Sequence, residues 1–254
     1  MNGGRVHRER RDGVDTIEVG DGSRRNALRE SDWQSLRDTI DASGAEPSTR
    51  VVVLVGHGGT FSAGSDMTEW ADAGPDEVDH TFETMEQCFR AIEDCPVPVV
   101  AAVEGVATGA GCQLALACDL VVMGESARIG MPIARLGILA SPAFAARVAS
   151  RVGSALAADL YLTGRLLSAA DARSAGLVAR VAPDAQVVLR ATDLARGMAQ
   201  KSPEAVRAAK RAVQAISQPE RRLAERAGPS ARAVAFEDFR ASVRRFLSVR
   251  RRLA

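Results

Sequence analysis

Two glycine-rich segments carry the residues whose types and spacing could do chemistry. Phe61-Ser62-Ala63-Gly64-Ser65-Asp66-Met67 follows the apolar run VVVLV at 51–55. Gly105-Val106-Ala107-Thr108-Gly109-Ala110-Gly111-Cys112-Gln113 follows VPVVAAV at 97–103. Each reads as a junction between a buried strand and a helix. Small residues let a ligand approach the backbone closely, and a helix N-terminus offers unpaired N–H groups with a partial positive charge. Two such junctions side by side could aim two N–H groups at one oxygen, the requirement of an oxyanion hole. One junction alone reads more plainly as a tight turn built with glycine; two together are more informative.

Other chemistries find little support. The chain has no G-x-x-x-x-G-K-[ST] loop, no G-x-G-x-x-G after a strand and no G-x-S-x-G elbow. His7, His57 and His80 stand far apart without ligand spacing. Cys88, Cys95, Cys112 and Cys118 lack C-x-x-C spacing and lie in apolar segments, which suits buried thiols in a reducing compartment.

The elements that must position the two junctions follow from the hydrophobic pattern. VDTIEV at 14–19 is a short strand. Trp33, Leu36 and Ile40 recur at helical spacing, with Gly44 as the stop. The run at 51–55 is continuously apolar, as a strand buried on both faces requires. Val78, Phe82, Met85, Phe89 and Ile92 form the stripe of a helix over about 76–93. Strands at 97–103 and 118–123 frame the short helix CQLALA. This alternation predicts an α/β architecture with mainly parallel pairing. From about Ser141 the chain is helical apart from Leu177–Val181. Ser202-Pro203-Glu204 is a helix start, and Val206, Ala209, Val213 and Ile216 make an apolar face that needs a cover, for which a neighbouring subunit is a natural candidate. The division expected is a flexible N-terminus at 1–13, an α/β core at 14–200 and a helical region at 201–254.

At 254 residues the chain can bury a sizeable core. Its 33 basic and 32 acidic residues leave a net charge of +1, so no long-range field draws it to nucleic acid or membrane. Arg240, Arg244, Arg245, Arg250, Arg251 and Arg252 crowd the C-terminal end. They read as a solvated helix face or, functionally, as help with an anionic ligand. No apolar run approaches a membrane span, and MNGGRVHRERRDG lacks the apolar stretch of a secretory signal. The expected location is the cytoplasm.

The motifs resemble, in order, those of the enoyl-CoA hydratase/isomerase (crotonase) family. F-S-A-G-S-D-M resembles its F-x-A-G-x-D-[LIM] loop, and the stretch from Pro98 to Asp119 resembles its second glycine-rich segment. Arg24-Arg25-Asn26-Ala27-Leu28, the stretch Ala127 to Pro132 with Leu136-Gly137-Ile138, Leu162-Thr163-Gly164-Arg165 through Val178, and Phe246-Leu247 resemble further family motifs. The resemblance spans roughly residues 14–250. It implies a spiral of β-β-α units with a C-terminal helical trimerisation region, assembled as a homotrimer or homohexamer. It implies an acyl-CoA thioester as partner, with coenzyme A present as part of the substrate and no permanently bound cofactor. The N–H groups of Ser65 and Ala110 would form the oxyanion hole. Arg25, Ala27, Ala63, Asp66 and Met67 would lie along the CoA moiety, and Phe246 would reach the CoA site of a neighbouring subunit.

The chain departs from the family at the two positions where hydratases carry glutamates, here Gln113 and Ile133, and Ser141 stands where some relatives have an aspartate. A paired carboxylate suits hydration because one member holds a proton while the other stays charged. Glutamine is neutral, though its amide can hold a water or a polar acyl group; isoleucine can only line a pocket. Glu86 is the substitute acid to consider, at the flank of the 76–93 stripe; the plainer reading is a surface glutamate near Arg90. Glu104 matches a variable family position, and Asp119 matches an aspartate whose implied role is structural. Three functions remain open: an enzyme acting on a CoA thioester with weak or absent hydration, a non-catalytic acyl-CoA binding or carrier protein, and a structural partner subunit.

Overall fold

The computed structural model describes residues 5–226 and 236–251. In chain order the strands and α-helices are β1 (Val6–Arg11), β2 (Val14–Val19), α1 (Glu30–Ala45), β3 (Val51–Gly56), α2 (Pro75–Asp94), β4 (Val99–Val103), β5 (Val106–Thr108), α3 (Ala110–Ala117), β6 (Leu120–Gly124), β7 (Arg128–Gly130), α4 (Pro142–Thr163), β8 (Leu166–Ser168), α5 (Ala169–Ser174), β9 (Arg180–Ala182), α6 (Val187–Ala199), α7 (Pro203–Arg226) and α8 (Phe236–Arg251). The main sheet runs β1-β2-β3-β4-β6-β9, and a smaller one runs β5-β7-β8. Pairing is parallel except for β1 with β2 and β7 with β8.

The centre of the sheet follows from its residues. Strand β3 is buried throughout. Val52 and Leu54 point into one apolar cluster with α1, α2 and α3; Val51, Val53 and Val55 point into another, closed by Val187, Ala191 and Ala195 of α6. A continuous apolar run is what a strand covered on both faces needs.

The expectation of a flexible N-terminus at 1–13 is corrected over residues 5–13, residues 1–4 lying outside the described ones. Val6–Arg11 forms an edge strand paired with β2, and Asp12 and Gly13, both at positive φ, make the two-residue turn between them. Its side chains are mostly exposed on both faces, so no alternation marked it; Arg10 and Asp15, 2.6 Å apart, tie the hairpin together. The segment after Gly105, read as turn alone, contains the three-residue strand β5.

The C-terminal helices attach in an unexpected way. The apolar residues Val213 and Ile216 of α7 stay exposed, while Lys210 is buried. Its Nζ donates to Asp119 Oδ2 at 2.8 Å and to the Val97 carbonyl at 3.0 Å, and Gln214 reaches the Glu93 carbonyl. Helix α8 buries Phe239 and Val243 against its own chain, with Phe239 beside Trp70. Arg240 and Arg244 bond the carbonyls of Ala73 and Ala71, so these two members of the arginine run staple α8 down. Arg252 lies outside the described residues.

Burial raises the Asp119 carboxyl above its ordinary range, with Lys210 opposing. Lys210→Met leaves that carboxylate without its cation and is expected to cost about 3 kcal/mol at neutral pH, the low end for a broken buried pair. The deficit shrinks as pH falls toward the raised Asp119 pKa, because protonation removes the stranded charge. Urea unfolding at several pH values checks both statements.

Candidate active site

The two junctions are laced together before any ligand is considered. Ser62 N–H donates to the Val106 carbonyl, Thr108 N–H donates to the Ser62 carbonyl, and Thr108 Oγ1 reaches the Ala63 carbonyl. The approach is so close that a Cβ on Gly111 would stand 2.2 Å from the Ser62 carbonyl oxygen, and one on Gly64 would stand 2.8 Å from that of Thr108. Only glycine fits either place. The same Gly64 Cβ would lie 3.0 Å from the Ala110 nitrogen, so the first junction abuts the first N–H of α3.

Ser65 pairs with Leu28 through its neighbours: Leu28 N–H bonds the Gly64 carbonyl and Asp66 N–H bonds the Leu28 carbonyl. The N–H of Ser65 is thereby turned off that bridge, and that of Ala110 begins a helix. Among the described residues neither has an acceptor. Ser65, Gly109 and Ala110 all line one cavity of about 660 Å³. Two free N–H groups on one cavity wall can stabilise a developing oxyanion.

The rest of the wall divides by chemistry. Arg24, Arg25 and Arg135 are exposed arginines on its lining, whereas Trp70, Phe82, Met85, Ile133 and Phe144 make an apolar wall. Ala27, Ala63, Asp66 and Met67 line it too. Asp66 is the one carboxylate among the described lining residues. Burial would raise it, but the Thr68 hydroxyl and N–H and the Arg24 guanidinium together hold it below the ordinary range. It is therefore ionised and occupied. Phe246 and Leu247 of α8 line the cavity of their own chain.

The remaining site candidates are elsewhere. Gln113 is fully buried and off the lining: its Nε2 donates to Tyr161 Oη at 3.0 Å and to the Phe144 carbonyl at 3.3 Å, and its Oε1 accepts from Arg147 at 2.7 Å. Glu86 is neither a surface residue nor a lining residue. Its neighbours Phe82 and Met85 face the cavity while its Oε1 pairs with Arg147 at 3.0 Å and Arg90 stands at 3.8 Å. Ser141 caps α4 by accepting from Phe144 N–H. Glu104 does not line the cavity, and burial raises its carboxyl. All four thiols are buried, and burial pushes Cys112 up to about 12, which leaves it a poor nucleophile.

Arg147 is the residue that sequence reasoning missed. It sits inside the apolar start of α4, bonded to Glu93 at 2.8 Å as well as to Glu86 and Gln113, with its guanidinium 5.1 Å from the Phe89 ring centre. Burial works against its charge, but Glu93 and Glu86 outweigh that and hold it protonated. An arginine in an otherwise apolar helical stretch was the available signal, since such residues are rarely buried unless paired.

Residues 9–251 match the enoyl-CoA hydratase/isomerase family, and the chain belongs to it. It is 38% identical over 189 residues, 74% of its own length and 73% of the relative's, to the 2,3-dehydroadipyl-CoA hydratase of Escherichia coli strain K12. A solved enoyl-CoA hydratase from Bacillus anthracis superposes with a TM-score of 0.79 at 30% identity, covering 87% of this chain and 90% of that one. An enoyl-CoA hydratase/isomerase from Xanthobacter autotrophicus Py2 superposes with a TM-score of 0.83 at 26% identity, covering 98% and 93%. The crotonase fold expected from the motifs is therefore the fold observed. No described helix is long and apolar enough to cross a membrane.

Arg147→Met takes from Glu86 and Glu93, each about one-tenth exposed at the side chain, the buried guanidinium they share, and is expected to cost about 3 kcal/mol. Chemical denaturation measures it; a loss below about 1 kcal/mol, the worth of a surface pair, would mean the cluster is not a unit.

Proposed function

We propose that this chain binds an acyl-CoA thioester and cradles its carbonyl oxygen between the N–H groups of Ser65 and Ala110. The observation that carries the reading is the pair of unengaged N–H groups on one wall of a cavity that is apolar on one side and arginine-bearing on another. An apolar acyl group suits the Trp70, Phe82 and Phe144 side, and arginine suits phosphate. Polarising the carbonyl stabilises an enolate or related anion at the neighbouring carbon, the chemistry of an enoyl-CoA hydratase/isomerase-like enzyme.

Hydration of a double bond needs more: a base for water and an acid for carbon. Ile133 offers neither, Gln113 is spent on Arg147 and Tyr161, and Asp66 is held ionised. Ordinary hydration is therefore weak or absent, and any turnover takes its proton chemistry from the substrate or from a group other than the usual glutamates. The commitment of Gln113 also favours a second reading, a non-catalytic acyl-CoA binding or carrier protein on the same scaffold.

Crotonyl-CoA and longer 2-enoyl- and 3-enoyl-CoAs are to be assayed for turnover, and saturated acyl-CoAs for binding by calorimetry. Binding with near-background hydration is expected. Because a general acid–base group contributes about 100- to 10,000-fold, Ile133→Glu is expected to raise crotonyl-CoA hydration measurably. Robust hydration by the unaltered chain would refute the proposed acid–base deficit, and failure to bind any acyl-CoA would refute the whole reading.

The same family membership supports a homotrimer or homohexamer, and the exposed Val213 and Ile216, 68% and 80% accessible, support α7 as part of the contact. Ile216→Asp is expected to shift the mass measured by light scattering toward the monomer, with the circular dichroism spectrum unchanged.

A further inference from the structure

A run of three consecutive non-glycine residues at positive φ adjoins the cavity. Arg24, Arg25 and Asn26 have φ of 49°, 58° and 54°. A single asparagine visits this left-handed region readily, but consecutive non-glycine residues do not. Such strain persists only where the surroundings over-determine it, and here they do so through Asn26. It is fully buried. Its Oδ1 accepts from Gly22 N–H at 2.8 Å, and its Nδ2 donates to the carbonyls of His57 and Thr60 at 2.8 and 2.5 Å. Its own carbonyl accepts from Ser62 Oγ at 2.8 Å. Gly20 leaves room for it, since a Cβ there would fall 2.2 Å from Asn26 Oδ1. On the other flank Arg24 is pinned to Asp66 at 2.6 Å.

Between those two anchors stands Arg25. Its carbonyl is held by Ala63 N–H at 2.9 Å, and its side chain is exposed, lines the cavity and makes no ion pair among the described residues. The turn thus consumes one arginine in an internal pair and presents the next one free.

We propose that Asn26 is a positioning residue: by fixing the left-handed turn it holds the unpaired Arg25 guanidinium at the cavity for a phosphate of the ligand. This rests on the acyl-CoA reading. Fixing the backbone that carries the guanidinium removes part of the freedom otherwise lost when it takes up phosphate, so the strained turn favours affinity for the charged end of the ligand alone.

The test compares two ligands by calorimetry: coenzyme A, which carries phosphates, and an S-acyl-pantetheine, which carries none. Asn26→Gly accepts the left-handed conformation but lacks every side-chain bond. It is expected to weaken coenzyme A about tenfold or more, the size of one lost charge-assisted contact, to flatten the salt dependence of that binding, and to leave acyl-pantetheine within about twofold of the unaltered chain. Arg25→Met leaves the hydrogen bonds of the turn in place and is expected to show the same selective loss for coenzyme A; if it binds coenzyme A as the parent does, the inference falls even should the glycine variant lack a cooperative melt. Equal affinity for coenzyme A in variant and parent overturns the inference, as does an equal loss for both ligands, which a merely structural residue would produce. If the unaltered chain binds neither ligand, the acyl-CoA reading itself falls, a result distinct from either.

Discussion

The contact between Gly111 and the Ser62 carbonyl is the constraint on which the rest of the site depends. It brings the end of one strand-to-helix junction onto the start of another with no side chain between them. Once that approach is made, Ser62 can bond through its N–H to Val106 and through its carbonyl to Thr108, the first N–H of α3 comes beside the first loop, and the cavity acquires a pair of main-chain N–H groups on one wall. The buried strands β3 and β4, parallel neighbours in the sheet, deliver both junctions to the same end. A site built of backbone is insensitive to the identity of most side chains around it, which explains how binding and proton transfer can be separated in one fold.

The apolar side and the charged side of the cavity are held by different means. Trp70, Phe82 and Phe144 are set by ordinary packing, reinforced by ring contacts among Trp70, Phe82 and Phe239. The Arg24–Asn26 turn is set against its own preference, at a cost of about 1–2 kcal/mol per left-handed residue, and is stable only because buried hydrogen bonds oppose it. Helix α8 then closes over the cavity with Phe246 and Leu247, anchored by Phe239 and by arginines that in sequence looked like a solvated charge run.

Much of this was legible in the residues. The continuous apolar runs identified β3 and β4, and the stripe from Val78 to Ile92 identified α2 within a residue or two of its observed ends. The two glycine-rich segments marked the wall that carries the free N–H groups, since glycine there answers a steric demand that sequence displays directly. What stayed hidden was what depends on partners distant in the chain. Strand β1 has no apolar alternation and is held by its pairing with β2. Helix α7 docks through Lys210 and Gln214, polar residues whose acceptors, Asp119 and the Val97 and Glu93 carbonyls, lie far back in sequence. Glu86 looked like a residue of the helix flank because the cation that claims it, Arg147, is 61 positions away.

The Arg147 cluster makes position 113 a matter of core electrostatics. Two carboxylates already share one buried guanidinium, and the neutral amide completes that arrangement by accepting one bond and donating others. Placing a carboxylate at 113 would add a third negative charge to a region that water scarcely enters, and the Tyr161 hydroxyl and Phe144 carbonyl would lose their donor. A carboxylate at 113 is thus not a one-step change: it requires neutralising Glu86 or Glu93, or supplying another cation, before the new acid could serve chemistry. The charge balance of the interior, rather than the shape of the cavity, decides which side chain position 113 can carry.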